Sequence, residues 1–245
     1  MVLLVKVTLI VTLTVTMVML SVSSLDELFV KMTVGYPNMS LCYLGSVNVT
    51  DSVACGSLCL QYNCTLFCLQ DGGCELYSAR VSWHYTGMGA TPSTSVCYSS
   101  WGSTNDAAHT ATITTTNASS PNNTGNTAVN GFYCFDVPHF CYHSIQSSQP
   151  WWVAVLTTSR QVTSVRIQTR RQPIGTSRFQ DVEVRVGHDT QNLSNNKLLG
   201  FYNGLALPGE VVIFRAIPYI TGTVVSLQST VFGYLCVCDV QVLYT

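Results

Sequence analysis

Alternation of apolar and polar positions dominates the second half of the chain. In Val182-Glu183-Val184-Arg185-Val186 every second residue is valine. The two-residue period of an extended chain sends those three valines to one face and the two charges to the other, the mark of a half-buried strand. Trp151-Trp152-Val153-Ala154-Val155-Leu156 and the segments 162–169, 211–214, 224–227 and 237–243 are also short, rich in β-branched residues and separated by turn-forming residues. Several such strands in succession predict an antiparallel sandwich or barrel. In the first half, Ser52 to Tyr62 is the segment that predicts a helix, with Asp51 as its N-cap. At the very start, Leu9 to Leu20 carries no charge, Lys6 precedes it, and Val22-Ser23-Ser24 supplies small residues. That pattern predicts a secretory signal peptide over 1–24. A membrane anchor is the alternative, because Met1 to Val22 approaches spanning length, but threonines interrupt the run and no basic stop-transfer cluster follows.

Charge narrows the function classes. Only 9% of the 245 residues are charged, against about 25% in ordinary soluble proteins, and 47% are hydrophobic. Such a chain is not built for disorder. With 11 basic and 12 acidic residues and a net charge of −1, it has no field with which to neutralise phosphates, so no nucleic-acid partner is expected. The 11 cysteines point to an oxidising compartment and to a secreted, extracellular protein. Sequons at Asn38, Asn48, Asn63, Asn117, Asn122 and Asn192 fit a glycosylated surface. No stretch after the signal segment is apolar for long enough to span a bilayer.

The cysteines fall in two groups, seven from Cys42 to Cys97 and four from Cys134 to Cys238, separated by a segment rich in Ser, Thr, Asn and Gly. This divides the chain into a signal peptide (1–24), a cysteine-rich module (40–98), a linker (99–106) and a β-rich module (107–245). Within the first module, Cys55 and Cys59 stand one helical turn apart and share a face of the expected helix. Cysteine spacing leaves the connectivity open, and zinc ligation is an alternative that the oxidising compartment disfavours.

The string Val53-Ala-Cys55-Gly-Ser-Leu-Cys59 through Cys64-x-x-Phe67 to Cys74-x-Leu76 resembles the PAN/apple family over residues 40–98. The resemblance implies a small disulfide-rich α+β module with Cys42 paired to Cys97, Cys55 to Cys74 and Cys59 to Cys64, which leaves Cys68 over. It implies adhesion to proteins or sugars without naming the ligand.

A second resemblance runs from Ala107 to the end. Asn126-Thr-Ala-Val-Asn-Gly131, Cys141-Tyr-His143-Ser, Pro150-Trp-Trp152-Val-Ala-Val-Leu, Val165-Arg-Ile-x-x-Arg170-Arg171, Arg178-Phe-x-Asp-Val-Glu-Val-Arg-Val-Gly187 and Leu235-Cys-Val-Cys238-Asp-Val-Gln-Val carry it. Together they resemble the F-type lectin (fucolectin/tachylectin-like) branch of the discoidin, or coagulation-factor type C, superfamily. The fold implied is mainly β, an eight-stranded jelly-roll β-sandwich with ligand loops at one end. The ligand implied is a glycan carrying fucose, held by His143, Arg171 and Arg178, with Ile174 as an apolar contact. The chemistry is sound in itself: fucose is neutral, so fixed donors must find its hydroxyls, and arginine offers a planar fork of N–H groups that never deprotonates. This chain departs from the family pattern at Pro173, where an aspartate is usual, and at Ile174-Gly175, where two adjacent cysteines are usual. The resemblance further implies disulfides Cys141–Cys238 and Cys134–Cys236. It also implies a structural calcium with Asn130 and Asp239 among its oxygen ligands, although Thr127 and Phe132 stand where two further asparagines are expected.

Catalysis has little to stand on. Asp181 and Glu183 lie two apart on a strand, as readily a solvated row as an acid/base pair, and no hydrolase, zinc-protease or phosphate-loop motif occurs. The expectation is a non-enzymatic lectin, with avidity from a homo-oligomer because single sugar sites are weak. The rival expectation is a discoidin-type module that binds protein or anionic lipid.

Overall fold

The computed structural model describes residues 29–35, 42–70, 72–82, 94–100, 105–121, 123–134, 141–171 and 178–245. The expected signal peptide, the sequons at Asn38 and Asn122, and Pro173, Ile174 and Gly175 lie outside these residues. No described helix is long and apolar enough to cross a membrane.

The first module is built from β1 (Val30–Gly35), β2 (Tyr43–Val47), α1 (Ser52–Gln61), β3 (Leu66–Gln70), β4 (Gly73–Tyr77), β5 (Ala79–Val81) and β6 (Thr94–Ser99). Five of these strands form an antiparallel sheet in the order β1-β6-β3-β4-β2. The helix begins where its capping chemistry predicts: Asp51 keeps an extended backbone, and its carboxylate accepts from Ala54 N at 2.8 Å. Cys55 and Cys59 form its buried face and bond to Cys74 of β4 and to Cys64 just beyond the helix. Covalent stapling replaces much of the apolar surface that a module of this size lacks.

Sheet order corrects the expected Cys42–Cys97 pair. Cys97 lies directly opposite Cys68 in the β3–β6 register, and the two are bonded with their Cα atoms 4.0 Å apart. Cys42, at the start of β2, is three strands from β6, roughly 14 Å at ordinary strand spacing, too far for a disulfide. Cys68 is therefore not left over.

The second module contains β7 (Thr112–Thr115), β8 (Phe132–Cys134), β9 (Tyr142–His143), β10 (Ser147–Ser148), β11 (Trp151–Gln168), β12 (Gln180–Gly187), β13 (Lys197–Leu205), β14 (Val211–Ser229), β15 (Phe232–Gly233), β16 (Cys236–Val237) and β17 (Asp239–Tyr244). Its main sheet runs β13-β12-β14-β11-β17, with β7 also paired to β11. The segments 151–156 and 162–169 are one strand, β11, and 211–214 and 224–227 are one strand, β14. These two pair along almost their whole length, with register shifts between Val155 and Arg160 and between Val162 and Ser164. Such bulges let a strand turn a corner, and the exposed Thr157, Thr158 and Ser159 occupy that corner. Strand β13 escaped the sequence pattern because it is an edge strand with two glycines and little burial.

Alternation does what the pattern requires. Val182, Val184 and Val186 are fully buried, together with Trp152, Ile167 and Leu227. Each such side chain contributes about 1.5–3 kcal/mol by leaving water. Trp152 also donates its indole N–H to Gly125 O at 3.0 Å, whereas Trp151, its neighbour in a strand of period two, points to the opposite face of the sheet.

The two modules share a seam. Strand β5 pairs with β8, placing Ala79 opposite Cys134 and Val81 opposite Phe132. Ser78 N donates to Cys42 O at 2.8 Å, so Cys42 lies beside Cys134, and these two are bonded. This is the second correction: Cys134 pairs with Cys42 of the first module, and Cys236 remains a buried thiol. A buried apolar cluster including Leu66, Tyr77, Val81 and Phe132 fills the seam.

Candidate functional site

The site is assembled around β16. On one side β9 pairs with it, setting His143 opposite Cys236 and Tyr142 opposite Val237. Just beyond, Cys141 and Cys238 are bonded, with Cα atoms 3.8 Å apart. On the other side Cys236 N donates to Arg178 O at 2.7 Å, which fixes the approach of the chain into β12. His143 is held further by its own backbone: its carbonyl accepts from Ser119 N at 2.7 Å, and its N–H donates to Asn123 O at 3.2 Å.

From this frame three side chains converge. Arg178 donates through Nη1 to Nε2 of His143. Tyr234 stacks on the imidazole, with ring centroids 5.4 Å apart and planes 15° from parallel. The Arg178 guanidinium carbon lies 4.6 Å from the centroid of the same tyrosine ring. Nδ1 of His143 is 2.6 Å from Ser119 Oγ. A guanidinium only donates, so Nε2 must accept, which places the ring proton on Nδ1, where it donates to the serine oxygen. Burial first, then the charges of Arg178 and Arg170, push the His143 pKa down to about 4. The imidazole is therefore neutral at physiological pH, and the fixed charge belongs to the arginines.

Of the expected residues, His143 and Arg178 are in contact, and Ile174 lies outside the described residues. Arg171 lies against Gly209, exposed, and its backbone bonds the Tyr133 hydroxyl. The neighbouring arginine, Arg170, joins Arg178 in acting through its charge on both His143 and Cys236. Ser119 and Tyr234 were not anticipated from the sequence. Ser119 carries only a sequon signal, and the one cue for Tyr234 is that it stands two residues before Cys236 and four before Cys238.

The oxygen donors expected for calcium are committed elsewhere. Asn130 Oδ1 accepts from Phe132 N at 2.9 Å. Asp239 is buried, and its carboxylate offsets the charges of Arg80 and Arg166. Two oxygen donors, one already accepting a backbone N–H and the other in the field of two guanidiniums, fall short of the six or more that a calcium ion takes. Zinc in the first module does not fit either, because all seven of its cysteines are in disulfides.

The resulting patch offers N–H donors on Arg178, for which no carboxylate partner exists among the described residues, beside Tyr234, a residue 37% exposed. Such a surface suits an uncharged ligand carrying acceptor oxygens on one side and C–H groups on the other.

No protein-family model matches the chain, and no curated protein matches it. Among solved structures, a fucolectin from striped bass (Morone saxatilis) serum is similar over 74% of this chain and 72% of its own, at 15% identity and a TM-score of 0.51. A fucose-binding module of Streptococcus pneumoniae covers 57% of this chain and 97% of its own, at 18% identity and a TM-score of 0.47. The lectin domain of lectinolysin, solved with Lewis B antigen, covers 58% and 98%, at 15% identity and a TM-score of 0.49. The likeness to the bass protein shows a shared, mainly β fold.

Proposed function

We propose that this chain is a secreted, non-enzymatic lectin whose loop-end site takes a neutral sugar ring, with terminal fucose as its ligand. The observation that carries the reading is the meeting of Arg178, His143 and Tyr234. Arg178 presents oriented donors to vicinal hydroxyls, His143 and Ser119 hold it in place, and Tyr234 offers a wall for the C6 methyl of a 6-deoxy sugar. The solved protein from striped bass serum that shares the fold is named a fucolectin. Five disulfides support an oxidising, extracellular address. The first module is read as PAN/apple-like and the second as a discoidin-type jelly roll. A single sugar site is weak, so presentation in an oligomer would supply avidity.

One observation favours a second reading. Leu207 is 70% exposed on the turn that carries Gly209, which packs against Arg171, and an apolar tip beside a cation suits an anionic lipid surface.

Retention on immobilised fucose, with elution by free fucose, tests the first reading. It is expected for the natural chain and lost in Arg178→Ala. Failure to bind any fucosylated glycan, with capture by phosphatidylserine vesicles that Leu207→Ser abolishes, would establish the second.

A further inference from the structure

We infer that the cleft on the outer face of the main sheet, floored by Trp151 and walled by the loop after β12, is a second pyranose-binding site. Strand alternation sends Trp151 outward, opposite Gln228 of β14. Gln149, Gln191, Asn192 and Ser194 rim a cleft of about 410 Å³ over these two residues, a volume suited to a small ligand. None of its lining residues is charged, so it selects a neutral ligand. Four side-chain amides, each both donor and acceptor, match hydroxyls that also donate and accept, and the indole offers a flat apolar face to the C–H side of a sugar ring.

The wall is fixed in advance of any ligand. Asp189 accepts from Gln191 N and Asn192 N, both at 2.8 Å, and from Asn195 Nδ2 at 2.7 Å. The Asn192 backbone N–H bond, then the Asn195 side chain, hold its carboxyl below the usual range. Arg185 ties the end of the loop to the sheet by donating to Asn196 O at 2.9 Å. Gln149 sits at φ 51°, a left-handed conformation uncommon outside glycine that a ligand-facing position can retain.

Two sources can supply the sugar. Asn192 heads the sequon Asn192-Leu193-Ser194, and Ser194 Oγ donates to its Oδ1 at 2.6 Å, so a glycan carried on Asn192 would start at the cleft. A free glycan is the other source. This site shares no residue with the His143 end and does not depend on the reading given to it.

The test follows the Trp151 indole N–H by NMR, assigned by its loss in Trp151→Phe, during titration with the methyl glycosides of N-acetylglucosamine, galactose and fucose. Protein from a non-glycosylating host is expected to give a saturable shift at millimolar concentration with at least one of them. The shift should be weakened about tenfold in Gln228→Ala, the loss of one good hydrogen bond, and unchanged in Arg178→Ala. In protein from a glycosylating host, an indole already displaced, and restored by Asn192→Gln, identifies the chain's own glycan as the occupant. If no glycoside moves the indole in unglycosylated protein, and Asn192→Gln changes nothing in the other, the inference is overturned. Loss of the shift in Arg178→Ala would also overturn it, by making the two sites one.

Discussion

Arg178 donates to Nε2 of His143 across 35 residues of sequence, and its charge adds to the burial that already holds the imidazole neutral. The partner that looks nearest in the sequence motif, Arg171, has no part in this contact.

The His143 ring should therefore titrate near pH 4, well below an ordinary imidazole at 6.5. Between those values the unfolded chain binds this proton and the folded chain does not. Folding stability must then decline as pH falls from about 6.5 towards 4, with no such dependence above 6.5. An NMR titration of the ring is expected to show the low midpoint. Arg170→Ala should raise it by removing a nearby positive charge, and Arg171→Ala should leave it in place. A midpoint near 6.5 in the natural chain would contradict the buried, arginine-flanked ring.

The Cys42–Cys134 bond closes a loop of 92 residues between the modules. By chain entropy alone such a closure contributes about 4–5 kcal/mol. The double variant Cys42→Ser, Cys134→Ser should lose a large part of that in denaturant unfolding. Peptide mapping without reduction should find the two cysteines linked; recovery of a Cys42–Cys97 peptide instead would contradict the sheet order.

Features governed by local rules were legible in the sequence. Asp51 capping α1 and the valines of β12 depend on neighbours a few residues away. The candidate-site residues His143 and Arg178 were legible through a family resemblance. What escaped depends on the fold as a whole. Cys42 and Cys134 are brought together by β5 pairing with β8, a contact between modules that no spacing announces. Trp151 and Trp152 differ only in which face of β11 each occupies. Asp239 reads as an oxygen donor, and the fold then brings it within the electrostatic reach of Arg80 from the other module.

That carboxylate is expected to be structural. Asp239→Asn would leave half-buried Arg80 without a compensating charge and should cost about 1–3 kcal/mol in unfolding free energy. Millimolar calcium should not raise the melting temperature of the natural chain. A calcium-dependent rise abolished by Asp239→Asn would reinstate the ion.

Cys236 should behave as a silent thiol. Burial pushes its pKa up to about 12, and the remaining ten of the 11 cysteines are in five disulfides. A maleimide is expected to label nothing in the folded protein and one site per chain after unreduced denaturation. Rapid labelling of the native protein would contradict the burial.

The most direct measurement of the proposed lectin activity is titration of methyl α-L-fucoside while the His143 and Tyr234 ring resonances are followed. Saturable shifts in both rings are predicted, with affinity about tenfold or more weaker in Arg178→Lys, which keeps the charge and loses the planar fork. Rings that stay unmoved at saturating fucoside, or shifts undiminished in Arg178→Lys, would contradict sugar binding at this site.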